Sequence, residues 1–195
     1  MPSILPKLAY LCLAACLQVF SWSALAQAIA RADKGEWTVD THQQPGMLLV
    51  LDRTQQIARR YPLATLDGKQ LAQFAEVHHA EPRQSFVVVL KGVAEMWELS
   101  YNPSAEPIYD GYVHDYKMGE GIALAGFLNP RRTTLDSVLD DFFFDPSYAN
   151  VMGASREGRG QVVNLDVRRK IADLDLPGMP HLGSGITWEL SLIHI

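Results

Sequence analysis

The chain has 195 residues, 48% of them apolar, 20% charged and 9% aromatic, which is ordinary globular composition and enough for one sizeable core. A collagen-like repeat, a disordered acidic tail and a disulfide scaffold are excluded. With 17 basic against 22 acidic side chains the formal charge is −5, so no basic excess exists to neutralise phosphates and a nucleic-acid partner is disfavoured.

Residues 1–26 contain no acid, carry Lys7 as a weak positive start, run apolar over 8–15 and end in the small-residue frame Ala24-Leu25-Ala26. This pattern predicts a secretory signal peptide with Gln27 as the new N-terminus, and no membrane span after cleavage. A permanent anchor is the alternative, but Pro2, Pro6, Gln18 and the serines at 21 and 23 make a poor apolar span of about 20 residues. Leu13-Ala14-Ala15-Cys16 also fits a lipoprotein box. Both cysteines, Cys12 and Cys16, fall in this segment. The remainder therefore offers no disulfide, no thiolate metal site, no Cys nucleophile and no attachment motif for covalent haem.

Residues 27–45 read as a linker or a segment foreign to the domain. From 46 onward one pattern recurs. An apolar run, Gly46-Met47-Leu48-Leu49-Val50-Leu51-Asp52, passes through a polar turn into 57–63, and Gly160-Gln161-Val162-Val163-Asn164-Leu165-Asp166 passes likewise into 170–172. Between them, 94–101 is expected to pair with 106–109 through a Pro-containing turn. Further strands are expected at 85–90 and 148–154, giving units of three strands, with an insertion at 118–145. Ser100 follows Asp52 by 48 residues and Asp166 follows Ser100 by 66. Propeller blades repeat at roughly 40–50 residues. No long segment with a 3.6-residue period appears, so helical bundles are disfavoured.

The expected fold is all-β, a partial β-propeller of about three blades over 46–189. Closed propellers need roughly 4–8 blades, so the chain is expected to be a truncated fragment. The tail 190–195 resembles translated adapter sequence, and His194 is left out of any site.

From 82 to 188 the chain resembles the d1-haem domain of the cytochrome cd1 nitrite reductase family, with a weaker likeness back to 46. The carriers are Pro82-Arg83-Gln84-Ser85-Phe86-Val87-Val88-Val89-Leu90-Lys91, Trp97-Glu98-Leu99-Ser100-Tyr101 and Tyr109-Asp110-Gly111-Tyr112-Val113-His114-Asp115. They continue with Gly153-Ala154-Ser155-Arg156, the 161–166 run and Gly178-Met179-Pro180-His181-Leu182-Gly183-Ser184-Gly185. The resemblance implies an eight-bladed propeller with haem d1 in its central cavity. It implies either reduction of nitrite to nitric oxide or the dehydrogenation that completes haem d1. Met118-Gly119-Glu120-Gly121, where the reductases have a Gly pair directly after His-Asp, resembles the maturation relatives more.

Both chemistries need proton transfer at the cofactor, and His is the side chain best poised near neutral pH. The resemblance points to His114 as proton donor or acceptor, helped by His79. Neighbouring residues of a strand face opposite sides, so a register shift would exchange His79 for His78. His181, Gly183, Arg156 and Trp188 are the expected cofactor contacts, with Arg83, Arg131, Arg132 and Trp97 as further possibilities. No His-Gly-Gly-like proximal motif occurs; the upstream His42 stands in Asp40-Thr41-His42-Gln43-Gln44. Asp140-Asp141-Phe142-Phe143-Phe144-Asp145 lacks the spacing of a calcium loop and reads as a charged turn entering a buried strand. No metal ligand set is expected. The implied partners are a periplasmic electron-transfer cytochrome or haem d1 assembly proteins. A haem d1 carrier without turnover and a cofactor-free binding propeller remain as alternatives.

Overall fold

A short run that is apolar at every position, bounded by turns, is stable as a strand only where both faces of its sheet are covered. The segment 85–90 is such a run, and the computed structural model buries all six of its residues. The structure describes residues 29–32, 34–109 and 124–175. These form β1 (Ile29–Arg31), β2 (Trp37–Asp40), β3 (Met47–Asp52), β4 (Ile57–Pro62), β5 (Ala75–Ala80), β6 (Ser85–Leu90), β7 (Glu95–Ser100), β8 (Pro130–Thr134), β9 (Asp141–Phe144), β10 (Asn150–Ala154), β11 (Arg159–Asn164) and β12 (Arg169–Asp175). A 3-10 turn, Glu81–Arg83, joins β5 to β6.

The strands make three four-stranded sheets, β1–β4, β5–β8 and β9–β12, each antiparallel with neighbours in chain order. These are three blades of a β-propeller. Their first strands lie innermost, with β1 close to β5 and β5 facing β9 through His78 and Phe142, whose rings are 4.3 Å apart.

Alternation along the middle blade explains the packing. Phe86, Val88, Leu90, Trp97 and Leu99 face blade 1 and meet Val39, Leu48, Val50 and Leu63. Val87, Val89 and Met96 face blade 3 and meet Leu139, Phe142, Val151 and Val163. Each large side chain so buried contributes about 1.5–3 kcal/mol. The seam between blades 1 and 2 also carries buried polar links. Arg132 lies over the Trp97 ring at 4.4 Å and donates to Glu95 and to the Ala64 carbonyl. Trp97 Nε1 donates to Glu95 at 2.7 Å.

The all-β fold and the partial propeller stand, but several boundaries move. The stretch 27–45 is not a linker over its described part: it supplies β1 and β2, with Val39 fully buried, so blade 1 starts at least as early as Ile29. Each sheet has four strands, not three. β7 pairs with β8, joining Glu95 to Thr134 and Leu99 to Pro130, and not with 106–109. Ile108 instead forms an isolated bridge with Leu124. The insertion therefore lies at 101–129, and 130–145 supplies β8 and β9. The acid-flanked Phe run does enter a strand, with Phe142 buried.

Candidate functional site

β5 reads Ala-Glu-Val-His-His-Ala and belongs to the inner edge of blade 2. Its alternation sends Ala75, Val77 and His79 toward blade 1, and Glu76 and His78 toward blade 3. The register question raised by the two histidines is thus a question of seams. His79 packs on Phe86 at 5.4 Å and beside Tyr101 at 5.8 Å between ring centres, and its Nε2 lies 2.9 Å from the Tyr101 hydroxyl. His78 lies against Phe142, and its Nε2 is 2.8 Å from Glu76 Oε1.

His79 sits at the end of β5 next to the Glu81–Arg83 turn, where Ala80 pairs with Ser85 and Ser85 with Ser100. The long 101–129 connection leaves and returns at this same end. Tyr101 N–H donates to the Gln84 carbonyl, and Leu128 N–H donates to the Ser100 carbonyl at 2.7 Å. Leu128 is 2% exposed with φ +57, an unusual conformation for a branched residue. Its carbonyl accepts the Tyr61 hydroxyl of blade 1 at 2.8 Å. Ile108 and Leu124 bridge to each other within the connection. His114 falls between them in sequence and, like His181, Gly183 and Trp188, outside the described residues.

A cleft of about 160 Å³ opens beside Tyr101, lined by Ala32, Lys34, Glu36, Glu81 and Gln84. Ligand pockets run from about 300 Å³ upward. This cleft alone is therefore too small for a macrocycle, and it carries the Lys34 ammonium, the Tyr101 phenol and the Glu36 and Glu81 carboxylates.

The arginines expected at a cofactor carboxylate are engaged elsewhere. Arg83 donates to Glu98 at 2.8 Å and pairs with Asp166 at 2.9 Å. Arg131 also pairs with Glu98 and donates to the Leu165 carbonyl, and Ser85 Oγ donates to Glu98 at 2.9 Å. Burial alone would raise the Glu98 carboxyl; its two arginines outweigh that and hold it below its ordinary value. Trp97 is core, with none of its surface exposed. Arg156 is 83% exposed beside Asp140, in the β10–β11 turn, where β10 ends against the first residue of β9. Lys91, from the far end of blade 2, reaches the Asp140 carbonyl there. Arg156 and His79 therefore lie at opposite ends of the blades and are not brought together. Tyr101 is the site residue that sequence reasoning missed. Its signal is an aromatic directly after an apolar strand, which reads equally as core.

The ring-flanked imidazole at the end of β5 and both roots of the long connection thus gather at one end of blade 2. Residues 20–194 match the family described as cytochrome D1 heme domain. The chain is 37% identical over 163 residues to the dihydro-heme d1 dehydrogenase of Pseudomonas aeruginosa, covering 83% of this chain and 29% of that protein. It superposes on a solved structure of dihydro-heme d1 dehydrogenase NirN in complex with DHE with a TM-score of 0.57 and 35% identity, over 80% of this chain and 29% of that one. The chain belongs to the cytochrome d1 haem domain family.

Proposed function

We propose that this chain supplies three blades of a periplasmic propeller that binds haem d1 at the mouth where β5 ends, and that His79 faces the macrocycle there with His114. The observation that carries the reading is the shared end: the His79 imidazole and both roots of the connection containing the family motif around His114 lie at one end of blade 2. Haem d1, when bound, would supply the redox centre. His79 would hold a proton at Nε2 and exchange it with the Tyr101 hydroxyl, whose own backbone is tied to Gln84. Phe86 and Tyr101 flank the imidazole and keep bulk water from one side of it. Lys34, on the wall of the adjoining cleft, would face an acidic substituent.

Of the two chemistries of the family, the dehydrogenation that completes haem d1 is favoured, because the 37% identical relative carries that activity in its name and Met118-Gly119-Glu120-Gly121 departs from the reductase pattern. Removing two hydrogens from a saturated carbon pair releases two protons and two electrons. The histidines would accept protons, and an electron-transfer cytochrome would accept electrons.

The test is conversion of dihydro-haem d1 by the full propeller with His79→Ala and His114→Ala, alongside nitrite reduction. The reading expects loss of conversion of at least about 100-fold in either variant. Conversion at the wild-type rate in both variants would overturn it, and retained haem d1 binding with no turnover in the wild type would make the protein a carrier.

A further inference from the structure

We propose that a proton held on Asp141, beside the buried Glu76, latches blade 2 to blade 3, so that rising pH opens this seam at one end. The inference is independent of the haem reading. Glu76 lies on β5 and is 2% exposed, and Asp141 opens β9 across the seam. The side-chain polar atoms of Glu76, His78 and Asp141 all lie within 4.8 Å of one another. Two ionised carboxylates this close, one of them buried, repel, so a proton on one of them relieves the seam.

The groups around the pair decide which one. From blade 2, His78 Nε2 contacts Glu76 Oε1 at 2.8 Å, and the Lys91 ammonium pairs with Glu76 Oε2 and also donates to the Asp140 carbonyl. From blade 3 come Asp140 itself, with Arg156 at 3.8 Å, and the Phe142 N–H, which donates to Asp141 Oδ1 at 2.8 Å. Burial would raise Glu76, but its bonds from His78 and Lys91 and the Lys91 charge hold it below its ordinary value. Asp141 is pushed up to about 6, first by burial and then by the Glu76 carboxylate, against the Phe142 N–H and Lys91. Asp141 is therefore the carboxyl that holds the proton, and Glu76 the one that stays ionised.

Below that value Asp141 adds no charge beside the Glu76 carboxylate and the Lys91 ammonium. Above it the Asp141 proton leaves to solvent, and a second negative charge faces Glu76 at the Lys91 end of the seam. A group whose folded value is raised contributes stability that is complete below its unfolded value of 3.8 and is lost as pH rises through about 6. The other end of the seam is held by Arg83 to Asp166 and Arg131 to the Leu165 carbonyl, away from Asp141, so opening is confined to the Lys91 end.

The test is amide hydrogen exchange of the chain at about pH 5 and about pH 7.5, corrected for intrinsic rates, comparing segment 139–146 with segment 162–168. Protection of 139–146 is expected to fall at least threefold, or thereabouts, on raising the pH, with 162–168 unchanged. In Asp141→Asn, which cannot ionise, both segments are expected to be pH-independent. Should that variant fail to fold, the carbon-13 carboxyl resonance of Asp141 in the wild type decides, with a midpoint expected near 6. Equal protection at both pH values, equal loss in both segments, or an Asp141 midpoint near 4 would each overturn the latch.

Discussion

His78 and His79 are consecutive on β5 and serve different seams: His78 packs against Phe142 of blade 3 with ring centres 4.3 Å apart, and His79 packs against Phe86 at 5.4 Å on the side toward blade 1. One strand thereby joins a carboxylate cluster to a ring-flanked imidazole at the blade end. The pleat alone separates them, so each can be altered without touching the other.

Tyr101→Phe keeps the ring against Phe86 and His79 and removes the hydroxyl that lies 2.9 Å from Nε2. The expected cost in global stability is about 1 kcal/mol by denaturant unfolding. The specific consequence is a change in the His79 tautomer equilibrium, read from the nitrogen-15 shifts of its ring. Unaltered ring shifts would show that the hydroxyl does not position His79.

Glu98 ties Arg83, Arg131 and Ser85 together at the blade 2–blade 3 seam. Glu98→Ala leaves two partly buried guanidinium groups without their carboxylate, and the expected loss is about 3 kcal/mol, seen as a lower denaturant midpoint. Glu98→Gln keeps the shape and is expected to cost less. Because the Glu98 carboxyl is held below its ordinary 4.5, its contribution is present above that pH and is lost as pH falls through the folded value. In Glu98→Gln the acid limb of the stability profile is expected to flatten.

Gly126 lies in the 101–129 connection, where an added Cβ would stand 2.1 Å from the Glu106 carbonyl oxygen and 2.9 Å from the Ala105 side chain. Neither backbone can yield without parting the two arms of the connection. Gly126→Ala is expected to expose 101–129 to limited proteolysis several-fold faster, with the unfolding midpoint of the sheets shifted little. Unchanged cleavage would show that the arms do not depend on this contact.

The strands that were legible in the sequence are those whose apolar residues show. β3 with β4, β6, and β11 with β12 all appear where the apolar runs and polar turns indicate. Two of the strands that were missed, β5 and β8, carry charge inward. β5 contains Glu76, His78 and His79, and β8 opens with Pro130-Arg131-Arg132, yet both are mostly shielded because their polar groups meet partners in the seams. A blade covered on both faces does not alternate between apolar and polar, so the period-2 signal vanishes there. β7 was misassigned to 106–109 for the related reason that its true partner begins 30 residues after Ser100, beyond Leu128 and Asn129, and nothing local marks that pairing. Of the candidate site, His79 was legible through family likeness, whereas its bond to Tyr101 was not, because no local spacing links positions 22 residues apart. Arg83, Arg131 and Arg132 pair with Glu98 and Glu95, pairings that only the arrangement of the strands creates.

The most direct measurement is an optical titration of the full propeller with haem d1, comparing the wild type with His79→Ala. The account predicts a shifted Soret band on binding to the wild type, and affinity weakened by about tenfold or more in the variant. Spectra and affinity identical in the two proteins, or no spectral change with either, would contradict it.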